Sequence, residues 1–173
     1  MLIARPLPTK LISSFIVGST GDAICQFLSR WYNLGPTQAT GWDHLRSFRQ
    51  GTVQSVFMST SLHYWLLYPM QMISYPNKSK TIAARYLAHQ VFFMPYVQSV
   101  FFFGMGIVKH RSISEGVAMV RENFVDSMKL AVCYWPFVSL GLYTVVPVRF
   151  GNIYMDSFAL VWAIVLSYIA NRK

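Results

Sequence analysis

Acidic residues are scarce in this sequence: six Asp and Glu stand against fifteen Lys and Arg in 173 residues. Charged residues of both signs make up 12% of the chain, against the roughly 25% typical of soluble domains. A water-soluble domain of this size cannot cover its outside with so few charges. The charges are also missing in blocks. Residues 50–77, 86–108 and 130–148 hold no Lys, Arg, Asp or Glu, over 28, 23 and 19 positions. A helix crosses a hydrocarbon core ~30 Å thick in roughly 20 residues. Residues 11–29 and 150–171 are weaker spans with one acid each, Asp22 and Asp156. The expectation is an all-α integral membrane bundle of four to five transmembrane helices, forming one domain over residues 1–173.

Other absences narrow the chemistry. There are two cysteines, Cys25 and Cys133, both inside predicted spans, which gives neither a disulfide framework nor a metal-ligand spacing with histidine. No CxxC, paired-histidine helix signature, glycine-rich phosphate loop or nucleophile elbow is present, so neither a cofactor nor an enzymatic activity is expected. No internal repeat or Pro/Gly/Ser-rich linker divides the chain. The net charge of +9 comes from short clusters between apolar spans: Arg46/Arg49, Lys78/Lys80/Arg85, Lys109/Arg111 and Arg172/Lys173. That placement suits lipid headgroups, including anionic ones such as cardiolipin, and not a nucleic-acid groove. The bases divide nine against six between the two sides if five spans cross, too even a split to orient the termini. The start carries Arg5 and Lys10 with no acid before Asp22, as in proteins imported into mitochondria, although Pro6 and Pro8 interrupt a presequence helix.

Within the first span, Ser14, Gly18 and Asp22 recur every four residues, with Ser29 seven further on, and the stripe is expected to face the bundle interior. Residues 30–49 read as an interfacial loop with Gly35-Pro36, Trp31, Tyr32 and Trp42. Pro69 is expected to stop or kink the second span. Pro95, Pro136 and Pro147 point to spans in mutual contact, because carbonyls freed by proline need partners in lipid. Between the third and fourth spans, Ser112 with Glu115 fits a capping box. Ile113, Val117, Val120, Phe124 and Met128 then form a helical stripe, expected as a separate interfacial amphipathic helix.

Several elements resemble those of a known family in order and spacing. Gly21-Asp22 with Gln26 resembles a Gly-Asp-x-x-x-Gln signature, and Asp43, Arg46 and Arg49 an Asp-x-x-Arg-x-x-Arg element. His63 and Trp65 stand where a Gly-Pro-x-x-His-x-Trp-Tyr element has its His and Trp; Gln90 and Pro95 match an Asp-Gln-x-x-x-x-Pro element. Trp135-Pro136, Val146-Pro147, Trp162 and Leu166-Ser167 match a C-terminal signature. Together, over about residues 8–168, these resemble the Mpv-seventeen and twenty-two-kilodalton peroxisomal membrane protein family. The resemblance implies a helical protein of the mitochondrial inner membrane, or alternatively of a peroxisomal or other organelle membrane, linked to small-solute permeation. This chain departs from the pattern at Ser59-Thr60, His89, Ser139, Leu142, Tyr143 and Gly151, several of which replace polar or charged groups.

Two readings of the intramembrane polar residues follow. Asp22, Gln26, His63, His89 and Gln90 line a path for small solutes, or they are structural, with Asp22 paired to Arg46 or Arg49 because an ionised Asp in a membrane helix needs a partner. Neutral histidines hydrogen-bonded between helices belong to the second reading. The corresponding functions are a small-solute channel or permeability regulator, and an accessory or scaffold subunit of a larger membrane assembly whose other members are its partners. The loss of polar family positions favours the scaffold.

Overall fold

The computed structural model describes residues 7–32, 42–145 and 151–171, and these are helical with no strand among them. Helix α1 is Leu7–Trp31. Helix α2 (His44–Val53) passes through a π-helical turn, Gln54–Ser59, into α3 (Thr60–Leu67), and a break at Tyr68 leads to the short α4 (Pro69–Met72). Helix α5 (Lys78–Ala88) continues through a second π turn, His89–Phe93, into α6 (Met94–His110). Then come α7 (Ile113–Thr144) and α8 (Gly151–Asn171). Two of these rods, Lys10–Trp31 and Lys78–His110, are long and apolar enough to cross a membrane; Ser157–Asn171 is a shorter apolar helix. The loop with Gly35-Pro36, together with Pro147 and Arg149, lies outside the described residues, as do the side chains of Asp156, Leu142, Tyr143 and Gly151.

The second rod begins earlier than the sequence suggests. His44 to Arg49, read as loop, is the start of α2, because the Asp43 carboxylate accepts from the Arg46 backbone N–H at 2.9 Å and caps the helix. Pro69 ends α3 as expected and sits at the first position of α4. Pro95 lies just past the π turn, and a proline ring displaces the carbonyl four residues before it, here Val91 in the middle of that turn. The extra residue of the π turn is where that mismatch is taken up. Pro136 is carried inside the continuous α7.

The amphipathic segment after Ser112 is not a separate surface helix. It is the first half of α7, packed along α6. The two helices meet through glycines: a Cβ on Gly106 would lie 2.5 Å from the Gly116 Cα. Such contact between backbones selects small side chains, so the buried stripe of α7 is Gly116, Asn123, Ser127 and Ala131. On the amphipathic stripe, Ile113 and Val117 are exposed, while Val120 packs against the core. Ser112 stands at the N-cap position of α7, but its side chain makes no capping hydrogen bond to a backbone N–H and its Oγ pairs with Ser114 Oγ at 2.7 Å instead. The turn between α6 and α7 places Arg111 at φ 56°, its N–H bonded to the Ile107 carbonyl at 2.7 Å.

The same inversion holds in α1. Gly18, Gly21, Asp22, Cys25 and Gln26 are buried, whereas Ile12, Ile16 and Phe27 are more than half exposed. Phe92, Val132, Phe137 and Leu140 are exposed on other rods. Polar groups inside and large apolar groups outside is the arrangement of a chain whose solvent is lipid. Phe101, Phe102, Met105, Trp135, Trp162 and Leu166 fill the interior. Replacing Gly106→Val should push α6 off α7 and cost about 1–3 kcal/mol by overpacking. Thermal unfolding of the detergent-solubilised chain reads this directly; an unchanged midpoint would mean that the glycine crossing is not required.

Candidate functional site

Asp22 of α1, fully buried, is the centre of a polar cluster that ties α1, α2 and α8 together. Its Oδ1 accepts from Arg46 Nε at 2.8 Å and from Ser167 Oγ. Its Oδ2 accepts from Gln26 Nε2 at 2.8 Å and from Ser47 Oγ at 2.7 Å. A carboxylate offers about four lone-pair sites, and each of these is occupied. Arg46 Nη2 also donates to Ser167 Oγ at 3.0 Å and to Cys25 Sγ at 3.7 Å. Gln26 closes the cluster toward the helix end: its Oε1 accepts from the Asp43 N–H at 3.0 Å and its Nε2 donates to the Asp43 carbonyl at 2.9 Å.

Helix geometry explains why these residues meet. Asp22 and Gln26 are four apart and so share one face of α1. Asp43, Arg46 and Ser47 lie on the cap and first turn of α2, and the approach of α1 to α2 is set by Gly18 and Gly51. A Cβ at Gly18 would lie 2.7 Å from Gln54 Cβ, and one at Gly51 would lie 2.9 Å from the Phe15 carbonyl. Gly21 meets Ala163 in the same way and brings α8 alongside. Around this end of the bundle Trp31, Tyr32 and Trp42 are exposed, with the Arg30 guanidinium 5.5 Å from the Trp42 ring centroid, as an aromatic belt at headgroup level would require.

Of the two partners expected for Asp22, Arg46 is the one that binds it; Arg49 is half-buried and outside the cluster. The other candidates lie elsewhere. His63 faces α1 through Lys10, whose Nζ is 3.3 Å from His63 Nδ1, and Lys10 is twelve residues, about 18 Å of helix, from Asp22. His89 packs among rings, 4.8 Å from Phe93 and 6.5 Å from Trp65, and Trp65 stacks on Phe93 at 5.1 Å. Gln90 Nε2 is buried without a partner among the described residues. Asp22, His63 and His89 therefore line no common path. Trp135 and Trp162 meet edge to face at 5.9 Å, and Tyr134 donates to the Phe158 carbonyl at 2.8 Å, joining α7 to α8.

Ser47, Ser167 and Cys25 were not singled out as site residues. Ser167 is itself a position of the C-terminal signature, and Ser47 and Cys25 lie within the stretches that carry the Asp43–Arg49 and Gly21–Gln26 motifs, which was the available signal. Gln50 and Gln98 were missed outright: both are fully buried, and both amide ends lack a partner among the described residues. Among those residues no group of three His, Cys, Asp or Glu could hold a metal ion.

Breaking a buried pair by removing one partner leaves the other charge uncompensated and typically costs about 3–5 kcal/mol. Asp22→Asn and Arg46→Gln should each lower the unfolding free energy in detergent by about that much. The double variant should lose clearly less than the sum, because neither charge is then stranded. Strict additivity in that cycle would show that the two side chains do not depend on each other.

Residues 106–167 match the family described as the Mpv17 / PMP22 family. Over nearly its full length the chain is similar to curated proteins. It is 25% identical over 171 residues to the mitochondrial inner membrane protein Mpv17 of Caenorhabditis elegans, covering 99% of this chain and 90% of that one. It is 28% identical to an Mpv17-like protein of Bos taurus, over 94% of this chain and 76% of the relative. Protein sym-1 of Neurospora crassa is 24% identical, over 97% and 94%. No solved structure matches. The inverted packing, the motifs clustered around Asp22 and these similarities agree: the chain is a helical membrane protein similar to the Mpv17 / PMP22 family, whose members include relatives named mitochondrial inner membrane proteins.

Proposed function

We propose that this protein is an accessory or scaffold subunit of a larger inner-membrane assembly, crossing the bilayer four to five times. The observation that carries this reading is the saturation of Asp22. A carboxylate that lines a conducting path must exchange its partners with water and ions. Here its acceptor sites are taken by Arg46, Ser167, Gln26 and Ser47, so this deeply buried acid fixes three helices to one another. The interior beyond it is filled by Phe101, Phe102, Trp135 and Trp162. The outside is apolar and rich in aromatic residues, suited to lipid and to the helices of other subunits. Helix α7 is about 48 Å long, more than a ~30 Å core, so its charged positions Arg121 and Glu122 have room to stand beyond the hydrocarbon. Lipids and other subunits are the partners in this reading, and catalysis has no part in it.

A specific observation keeps a second reading, permeation of small solutes. The buried amides of Gln50 and Gln98 have no partner among the described residues, and such groups typically cost about 1–3 kcal/mol each unless water reaches them. A hydrated interior would satisfy both.

Two measurements separate the readings. In mildly solubilised inner membranes, the scaffold should migrate on native gels in a complex well above its own 19.8 kDa, with identifiable co-migrating proteins. The purified chain alone should give no selective conductance in planar bilayers. A selective conductance abolished by Asp22→Asn and altered by Gln50→Leu or Gln98→Leu would overturn the scaffold in favour of permeation.

A further inference from the structure

Helices α3, α4 and α5 form a hairpin, residues 60–88, that joins the bundle at each end through a π turn: Gln54–Ser59 before it and His89–Phe93 after it. Among the described side chains of this hairpin, Met70 is the only buried one. Immediately past the second π turn the packing changes, and α6 buries Met94, Val97, Phe101, Phe102 and Met105. The hairpin is fastened to itself near its tip. Arg85 Nε donates to the Ile73 carbonyl at 3.0 Å, and Thr81 Oγ1 accepts from the Tyr75 N–H at 2.9 Å. These bonds hold its two arms as one unit.

Its ties to the bundle are thinner. A groove of about 690 Å³ separates Ser61, Trp65 and Pro69 on the hairpin from Tyr96, Val100 and Phe103 on α6. Ser61 Oγ and Tyr96 OH are 3.4 Å apart at an exposed position, long for two hydroxyls. Trp65 stacks on Phe93 at 5.1 Å, but its Nε1 has no partner among the described residues, so no hydrogen bond fixes the stack. Lys10 Nζ lies 3.3 Å from His63 Nδ1. Parting apolar walls in lipid costs little, because hydrocarbon tails replace the lost contacts. The two joints are also weak points. In the second, the Met94 N–H donates to the His89 carbonyl five residues back, and Pro95 has no N–H for the Val91 carbonyl. Helices bend where the regular ladder is interrupted in this way.

We propose that residues 60–88 are a hinged flap that bends at the two π turns and so opens and closes the aromatic groove. The bundle of α1, α2, α6, α7 and α8 is the fixed part, locked by the Asp22 cluster and the glycine crossings. A bend of about 20° at the first joint moves Met72, about 18 Å along the rod from Thr60, by about 6 Å. The flap does not depend on whether the protein scaffolds or conducts.

The test measures distances between spin labels on the full-length chain in lipid nanodiscs. Native Cys133 on α7 is exposed and takes one label, while Cys25 is buried. The second label goes on Met72→Cys or Ile82→Cys of the hairpin, or on Val161→Cys of α8 as the control, all exposed positions. The two hairpin distances should be spread by about 6 Å more than the control. The distance between Met72→Cys and Ile82→Cys, read with Cys133→Ala, should be narrow, because the arms move as one unit. Pro95→Ala, which restores a donor for the Val91 carbonyl, should narrow both hairpin spreads while circular dichroism shows the helices intact. Hairpin spreads no wider than the control would overturn the proposal. So would a broad distance within the hairpin, which means fraying, or spreads unchanged in a folded Pro95→Ala variant. If Pro95→Ala does not fold, the distances without it decide alone.

Discussion

The structure depends on one ion pair placed where it cannot be left half-made. In hydrocarbon neither the Asp22 carboxylate nor the Arg46 guanidinium can be stranded, and water is not at hand to replace a lost partner. The pair therefore dictates that α1 and α2 lie side by side at this end. Ser167, donating to Asp22 and accepting from Arg46, draws α8 into the same contact. The glycines at 18, 21 and 51 are the steric condition for this contact, since each allows the neighbouring helix close enough for short hydrogen bonds. Electrostatics sets which helices meet, and the glycines set how closely.

Lipid as solvent changes what holds the rest together. Without a hydrophobic driving force between helices, association comes from close packing and from polar groups that find partners inside. Hence α6 and α7 meet through Gly106 and Gly116, and the polar stripe of α7 turns inward. Asn123 and Ser127 donate to carbonyls of their own helix at 3.0 Å each. Gln50 and Gln98 are exceptions, buried amides with neither end partnered among the described residues. They mark where the packed interior is least complete, and they are the physical reason to keep permeation in view.

Much of this was legible in the chain. The charge-free blocks, the inward stripe of α1, the stop at Pro69 and an arginine partner for Asp22 all follow from counting residues against helix geometry and the cost of charge in lipid. Two features were read wrongly for identifiable reasons. Residues 44–49 looked like loop because their composition is polar, yet Asp43 caps them into helix. The stripe Ile113–Val117–Val120–Phe124–Met128 looked like a separate interfacial helix, yet these residues open α7, where Ile113 and Val117 are exposed and Val120 packs against the core.

The sequence by itself determined that the chain is helical, lives in a membrane and needs a cation for Asp22, because composition and spacing act locally and the penalty for unpaired charge is general. Only the tertiary structure decided that Arg46 and not Arg49 is that cation, that Ser167 completes the set, and that His63 and His89 stand apart from it. It also decided that an aromatic groove opens beside the two π turns. These outcomes depend on the angle and register at which distant helices cross, and that is fixed by the joint packing of glycines 18, 21, 51, 106 and 116 against residues far away in the chain.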